Sequence, residues 1–326
     1  MTLRVVHTVV GTNVGDSCFT AKSLNMTDGY PSAPKPMPLG TSPSYFYAGN
    51  LIEQNYILAP GARVIAQTNH STVHRAYSGL FRREIAIKII DKRSIPTAAV
   101  DKFLPRELEI TKKVLHPHIV RCLHIYTPHP SKVVIVSEFY PGGTLLQYLT
   151  VRRIIDEGNA ARLFRQLSEA LHYLHDGLKV VHRDVKMENI LISMNGDVKL
   201  ADFGFARYAD KATRSTSFCG TQPYSSPQLL NQIPYDGFAA DWFAAGIVLF
   251  TMLMGKWPFQ MLDKFKRIVY PDRCPISVTA RELCAKLMEP TEEARYKYDD
   301  VIRDPWMIAN TGGKWLMADD MFVYEF

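Results

Sequence analysis

Apolar positions along this 326-residue chain change their spacing once, and the change divides it. From Asn55 to about Phe139 short β-branched runs recur: Tyr56 to Leu58, Thr72 to Ala76, Ile85 to Ile90, Ile119 to Ile125 and Val133 to Phe139. Runs of this length and composition predict strands. One interruption, Thr97 to Leu115, carries Val100, Leu104, Leu108 and Thr111 to Leu115 at helical spacing and stops at His116-Pro117. It predicts a single helix inserted in a sheet. The two prolines of Thr127-Pro128-His129-Pro130-Ser131 break helix and ladder alike and predict the turn of the last hairpin. After Pro141-Gly142-Gly143 the spacing becomes helical. Leu163, Leu167, Leu171 and Leu174, with Phe164 and Ala170, stripe one long helix, and Trp242 to Met254 is apolar enough to be a buried one. The pattern predicts an α+β protein: a small β-rich lobe with one main helix, a Gly-Gly hinge and a larger, mostly helical lobe.

The flanks differ from this core. Residues 1–53 are rich in Thr, Ser, Gly and Pro without an apolar period, which predicts a flexible extension. The domain then spans 54–308, with lobes at about 54–140 and 141–308, and a tail covers 309–326. In that tail Trp315, Met317, Met321 and Phe322 are expected to dock on the helical lobe. With 47% hydrophobic and 21% charged residues, the composition is that of soluble globular proteins and excludes wholesale disorder. No apolar run is expected to reach the roughly 18 residues of a membrane span. His7 and Thr8 interrupt the short N-terminal apolar stretch, so no secretory signal is read. Five scattered cysteines with no CxxC pair argue against a disulfide framework or a zinc cluster. Reduced thiols of this kind suit an intracellular protein, cytoplasmic or nuclear. The 38 basic against 32 acidic residues form no basic tract, so neither a nucleic-acid nor a membrane partner is expected. Nothing in the pattern specifies an oligomeric state.

The chemistry sits in three runs. Val181-His182-Arg183-Asp184-Val185-Lys186-Met187-Glu188-Asn189-Ile190-Leu191-Ile192 follows the long helix, and Lys199-Leu200-Ala201-Asp202-Phe203-Gly204 comes next. Upstream, Ile85-Ala86-Ile87-Lys88 lies on an expected strand and Glu107 on the helix after it. In this order and spacing the chain resembles the eukaryotic protein kinase family, from about Tyr56 to Trp306. The resemblance implies the two-lobed kinase fold and transfer of the γ-phosphate of ATP to protein substrates. Mg²⁺ would serve as cofactor, with Mn²⁺ as a substitute.

Residue by residue, it implies that Lys88 meets the α- and β-phosphates and is held by Glu107. Asp184 would be the catalytic base and Lys186 would face the γ-phosphate. Asn189 and Asp202 would hold the metal through hard oxygen atoms. Ile65, Val73, Ala86 and Leu191 match the adenine sandwich, Glu138 and Tyr140 the backbone of the hinge, and Ser137 a small gatekeeper with a deeper pocket behind the base. Lys186 in Asp-x-Lys-x-x-Asn looks like a serine/threonine-directed member. Ala201 to Arg207 and Ser217 to Thr221 are most similar to calmodulin-kinase-related and testis-specific serine/threonine kinases.

Ser217 matches the activating phosphosite, with an upstream kinase as its partner and Arg183 as its counter-ion, and Thr221 matches the loop threonine that contacts Lys186. Asp241 matches the buried aspartate that steadies the catalytic loop. Glu188 matches a position that often meets a basic substrate side chain, but Thr144 and Thr251 stand where basophilic members carry acids.

Two motifs depart from the family. In place of Gly-x-Gly-x-x-Gly-x-Val the chain has Ala66-Gln67-Thr68-Asn69-His70-Ser71-Thr72-Val73, so Ala66, Thr68 and Ser71 replace glycines whose backbone N–H groups approach phosphate closely. Gly61 has the wrong spacing to stand in for one. In place of Ala-Pro-Glu it has Ser226-Pro227-Gln228, which removes the carboxylate expected to pair Arg295. These losses, with Thr111 and Cys122 at positions where larger apolar residues are usual, keep a second reading open: a pseudokinase or signalling scaffold with weakened nucleotide binding. The plain alternative for Lys88 and Glu107 is a structural ion pair, and for Ser217 an unmodified loop serine. His182 and Phe203 are expected to pack in the core.

Overall fold

The computed structural model of the protein describes residues 56–58, 64–210, 212–259 and 268–313. The expected extension (1–53), Gly61 and the tail residues Trp315, Met317, Met321 and Phe322 lie outside the described residues. The described chain forms two compact units. One is β-rich and ends at Phe139; the other is helical, begins at Tyr140 and also takes in Val114–Ile119.

In the β-rich unit, β1 (Tyr56–Leu58), β3 (Ser71–Ser78), β4 (Arg83–Asp91), β6 (Lys132–Glu138) and β5 (Cys122–His129) lie side by side in that order, and β2 (Val64–Gln67) also pairs with β3. Every pairing is antiparallel. Alternation along β4 sends Ile85, Ile87 and Ile89 into a core with Val134 and Val136. Ala86, Lys88 and Ile90 therefore take the opposite face. On that face α1 (Thr97–Lys113) packs its Leu104 with Ile90, Val133 and Ile135. Pro105 lies inside α1 without ending it, between the apolar contacts of Val100, Leu104 and Leu108.

Three boundaries differ from the sequence pattern. β2 was not expected, because all four of its residues are exposed and carry no buried alternation. β5 begins at Cys122 and runs through Thr127 and Pro128, so the turn narrows to Pro130-Ser131. Proline is tolerated there because β5 is the edge strand and its ladder slips between Tyr126 and His129. Ile119 is not in β5 at all; it bridges Leu200 within the helical unit. Its neighbours explain why. Leu115 N–H donates to the Tyr173 hydroxyl at 3.0 Å, and Leu200 N–H donates to the His118 carbonyl at 2.8 Å.

The helical unit carries α2 (Leu145–Arg152), α3 (Glu157–His172), α4 (Pro227–Leu230), α5 (Gly237–Met254), α6 (Val278–Leu287), α7 (Tyr298–Arg303) and α8 (Pro305–Thr311). Thr144 opens α2 with a capping box, its hydroxyl accepting from Gln147 N–H and its own N–H donating to the Gln147 side chain. Leu174, expected on the long helix, falls in a π-helical turn, Tyr173–Gly177, that follows α3. The 18 residues of α5 are long and apolar enough to cross a membrane, which corrects the expectation that no such run exists. Every one of them is buried inside this unit, as a core helix would be. The expected domain end at 308 falls inside α8, which Asp304 and Pro305 start and left-handed Gly312 stops.

Four short strands hold the chemistry-bearing loops. β8 (Ile190–Ile192) pairs with β9 (Val198–Leu200), and β7 (Val180–Val181) pairs with β10 (Arg207–Tyr208). The His182–Asn189 loop thus leaves one ladder and enters the other. Gly142 is fixed by crowding: a Cβ there would come within 2.5 Å of the Ile192 carbonyl oxygen on β8.

Candidate active site

In the β-rich unit the face of β4 that meets α1 brings Lys88 Nζ to 3.0 Å from Glu107 Oε1. Both side chains are largely withdrawn from water, at 24% and 13% exposure, which strengthens the attraction and makes breaking it costly. Glu107 reaches the lysine because it lies three residues after Leu104, on the same face of α1. Ala86 shares that face, in register with Ser137 on β6, whose other neighbour is Cys122. Val73 lies across from Lys88 on β3, and Ile65 is exposed on β2. Glu138 N–H donates to the Arg121 carbonyl, and the Glu138 carboxylate takes an ion pair from Arg83 at 2.6 Å.

In the helical unit the loop is built around Asp241 on α5. Its carboxylate is buried and accepts from the backbone N–H of His182 and of Arg183, each at 2.8 Å, and meets His175 Nε2 at 2.9 Å. Burial pushes that carboxyl up, but the His175 bond and charge and the His182 N–H outweigh it, and the group is held below its ordinary value. His182 Nδ1 accepts from Asp184 N–H at 3.3 Å, so Nε2 carries the proton and donates to the Ala201 carbonyl at 3.1 Å. The Phe203 ring meets His182 edge-on at 5.3 Å, and both are buried, as expected of core residues. Arg183 and Asp202 both take φ of 65°, a left-handed conformation that costs non-glycine residues about 1 kcal/mol or more and collects at functional sites.

Asp184 is the centre of this half. Its Oδ1 accepts from the Thr221 hydroxyl at 2.7 Å; its Oδ2 meets Lys186 Nζ at 2.6 Å and Asn189 Nδ2 at 2.9 Å. Lys186 Nζ also donates to Thr221 Oγ1 at 2.9 Å. The Asn189 NH₂ is turned to Asp184, with a second bond to its carbonyl at 2.9 Å, which leaves the amide oxygen as the end suited to a hard cation. Ala201 N–H donates to the Asn189 carbonyl at 2.8 Å, so the β8–β9 hairpin brings Asp202 next to Asn189. Leu191 is half-buried on β8, and Tyr140 lies under the Lys199 ammonium at 5.3 Å.

The segment that follows is tied to the same loop. Arg183 Nη1 donates to Ser217 Oγ at 3.2 Å, and the Tyr235 hydroxyl donates to the Ser217 carbonyl at 2.9 Å. Ser217 is buried in this arrangement. Gln228 does meet Arg295: Arg295 Nη2 donates to Gln228 Oε1 at 3.2 Å, while Gln228 Nε2 donates to the Pro290 carbonyl at 2.6 Å.

A family model described as "Protein kinase domain" matches residues 62–307, three-quarters of the chain and all of the loops just described. The chain belongs to the protein kinase family. Its relatives point to the serine/threonine branch. It is 34% identical over 266 residues to testis-specific serine/threonine-protein kinase 3 of Mus musculus, covering 78% of this chain and 98% of the relative. To testis-specific serine/threonine-protein kinase 2 of Mus musculus it is 32% identical over 256 residues, 74% of this chain and 71% of the relative. Aurora kinase A-A of Xenopus laevis is 34% identical over 235 residues, covering 70% of this chain and 56% of the relative. These matches give the scaffold reading no support.

Some residues of the kinase site were not legible from motifs. The Tyr224 hydroxyl accepts from Met187 N–H at 3.2 Å and donates to Glu188 Oε2 at 3.0 Å. Burial and the neighbouring Glu188 charge push the Tyr224 hydroxyl well above its ordinary value, so it stays a donor. The other Glu188 oxygen is buried with no hydrogen-bond partner among the described residues. Thr144, which stands where basophilic members carry an acid, caps α2. A capping box is readable from Thr-x-x-Gln; the Tyr224 contact has no local signal.

Proposed function

We propose that this kinase transfers the γ-phosphoryl group of ATP, as its Mg²⁺ complex, to serine or threonine hydroxyls of protein substrates. The observation that carries the reading is the Asp184 carboxylate, buried and oriented by Thr221, Lys186 and Asn189. A positioned carboxylate of this kind is what a substrate hydroxyl needs as base. The hydroxyl gives its proton to Asp184 as its oxygen bonds the γ-phosphorus, and the bond from that phosphorus to the β–γ bridging oxygen breaks, with ADP as leaving group. Lys186 stands beside the transferred group, and Lys88, steadied by Glu107, neutralises the phosphates that remain on ADP.

The donor set fits Mg²⁺: the Asp202 carboxylate and the Asn189 amide oxygen are hard, and two protein ligands suffice when phosphate oxygens and water complete the shell. Bound there, the ion would offset the charge on the phosphate oxygens. Glu188 Oε1 is the acceptor that a donor on the substrate peptide would satisfy.

The test is transfer of labelled γ-phosphate from ATP to a general protein substrate by the purified chain, with and without Mg²⁺. Transfer that depends on the divalent ion and disappears in Asp184→Asn is expected. Transfer unaffected by Asp184→Asn would overturn the assignment.

A further inference from the structure

The hairpin between β2 and β3 has no glycines, and the structure shows what replaces them. Thr68 N–H donates to the Ser71 carbonyl at 2.8 Å and closes the turn. Inside it the Thr68 hydroxyl accepts from His70 N–H at 3.3 Å and from Ser71 N–H at 3.0 Å. With both lone pairs engaged, its proton is directed to Ser71 Oγ, 2.9 Å away. From outside, the turn is pinned by Asp91 N–H donating to the His70 carbonyl at 2.9 Å and by His70 Nδ1 lying 3.2 Å from Ser94 Oγ.

A loop of this kind holds nucleotide phosphates through its backbone N–H groups. Here two of those donors are already bonded to a side chain of the loop itself. We infer, on the ATP reading above, that Thr68 is a specificity-determining residue: its hydroxyl competes with nucleotide phosphates for the His70 and Ser71 N–H groups. The consequence is a kinase that distinguishes ATP from adenosine less sharply than its fold allows. A phosphate must displace the hydroxyl to reach either donor, whereas the adenine and ribose interactions are untouched. Removing the hydroxyl frees both N–H groups and raises affinity for the triphosphate selectively. The gain is that of about one net hydrogen bond, or roughly two- to tenfold.

The experiment is calorimetric titration of the full chain with MgATP and, separately, with adenosine. Thr68→Val keeps the β-branched shape and removes the hydroxyl; Thr68→Ala is a second variant without it; Thr68→Ser restores it. Thr68 is exposed and belongs to neither core cluster of the unit, so folding is expected to survive, and an unchanged melting temperature without ligand checks this. Expected is a rise in the ATP-to-adenosine affinity ratio of about two- to tenfold in the Val and Ala variants, with Ser at the wild-type ratio. A ratio that stays level or falls in Val and Ala would show that the hydroxyl organises the loop for phosphate instead, and would overturn the inference. So would a Ser variant that rises with the others. Failure of the ATP reading is separately visible, since the wild-type chain would then bind neither ligand, and the inference would fall with it.

Discussion

The two halves of the kinase chemistry are built in opposite ways. In the helical unit, Asp184, Lys186, Asn189 and Thr221 bond one another, and the backbone beneath them hangs from Asp241 on a wholly buried helix. In the β-rich unit strand β2 is exposed, and the Thr68 cap of the β2–β3 turn bonds only within four residues, with Asp91 and Ser94 bracing the turn from outside. A buried network tolerates little change, because each lost partner strands a donor or acceptor away from water. An exposed hairpin can exchange residues and let water make up the difference. The family pattern is accordingly intact in the Asp184 cluster of the first region and rewritten in the β2–β3 turn of the second.

The sharpest way to break this contrast is at its centre. Asp184→Asn removes the only proton acceptor the proposal uses and is expected to lower the transfer rate by about 10²- to 10⁴-fold. Single-turnover transfer measured alongside ATP binding checks it, and binding should be preserved. A loss below tenfold would mean that the buried cluster does not hold the base.

The next largest effect belongs to Asp241→Asn. Two backbone N–H groups and His175 now share one carboxylate. The amide offers one oxygen and turns an NH₂ toward the remaining donors, at an expected cost of about 3–5 kcal/mol. Chemical denaturation should show the loss as a lower midpoint. The exposed hairpin gives the contrast: Thr68→Val in the same assay should stay within about 0.5 kcal/mol of wild type. If the two variants are equally destabilised, the halves are not built differently.

What could be read in advance follows the same division. The catalytic loop was legible because its groups are contiguous, from His182 to Asn189, and Asp202 follows within one hairpin. Lys88 and Glu107 were legible only through resemblance, since nothing local says that α1 packs on that face of β4. The strand β2 was invisible because none of its residues is buried, and periodicity reports burial rather than hydrogen bonding. Ile119 was assigned to the sheet for the opposite reason: it is apolar and buried, but its partner is Leu200 in the helical unit. Neither the Thr68 cap nor the Tyr224–Glu188 bond could be read, because each depends on where a single hydroxyl points.

His116 supplies a smaller test, by pH. Burial, with the charges of His118, Lys199 and His172, pushes it down to about 3, from an ordinary value near 6.5. Its ring stacks on Tyr173 at 5.1 Å, and its Nδ1 accepts from His118 N–H at 3.1 Å, a bond that requires an unprotonated nitrogen. The folded chain therefore stays neutral at this position while the unfolded chain takes up a proton. Stability from this group is complete above about pH 6.5 and is lost as pH falls toward 3. Between about pH 7.5 and 5.5 the loss is about 1 kcal/mol. His116→Asn keeps an acceptor for the His118 N–H and should remove that share of the fall in melting temperature. If the variant's pH dependence matches wild type, His116 is not buried neutral.

The smallest effect separates a lost interaction from a replaced one. By motif, Gln228 looks like a weakened glutamate beside Arg295. In the structure it does two things a glutamate cannot do together: Oε1 accepts from Arg295 and Nε2 donates to the Pro290 carbonyl. Gln228→Glu would gain a charged partner for a buried guanidinium, worth about 1–2 kcal/mol, and would set a carboxylate oxygen against a carbonyl where a hydrogen bond had been, at a similar cost. Glu289, Glu292 and Glu293 already act on Arg295, which trims the gain further. The expected net change is within about 1 kcal/mol of zero, whereas Gln228→Ala should cost about 1–2 kcal/mol by leaving one Arg295 donor without its acceptor. Melting temperatures of the two variants decide it. A marked rise in Gln228→Glu would mean that the site kept its demand for a carboxylate and that the glutamine is only a loss. Two changes of the expected sizes would mean that the helical unit, where it departs from the family pattern, has rebuilt its hydrogen bonds as fully as the exposed hairpin has.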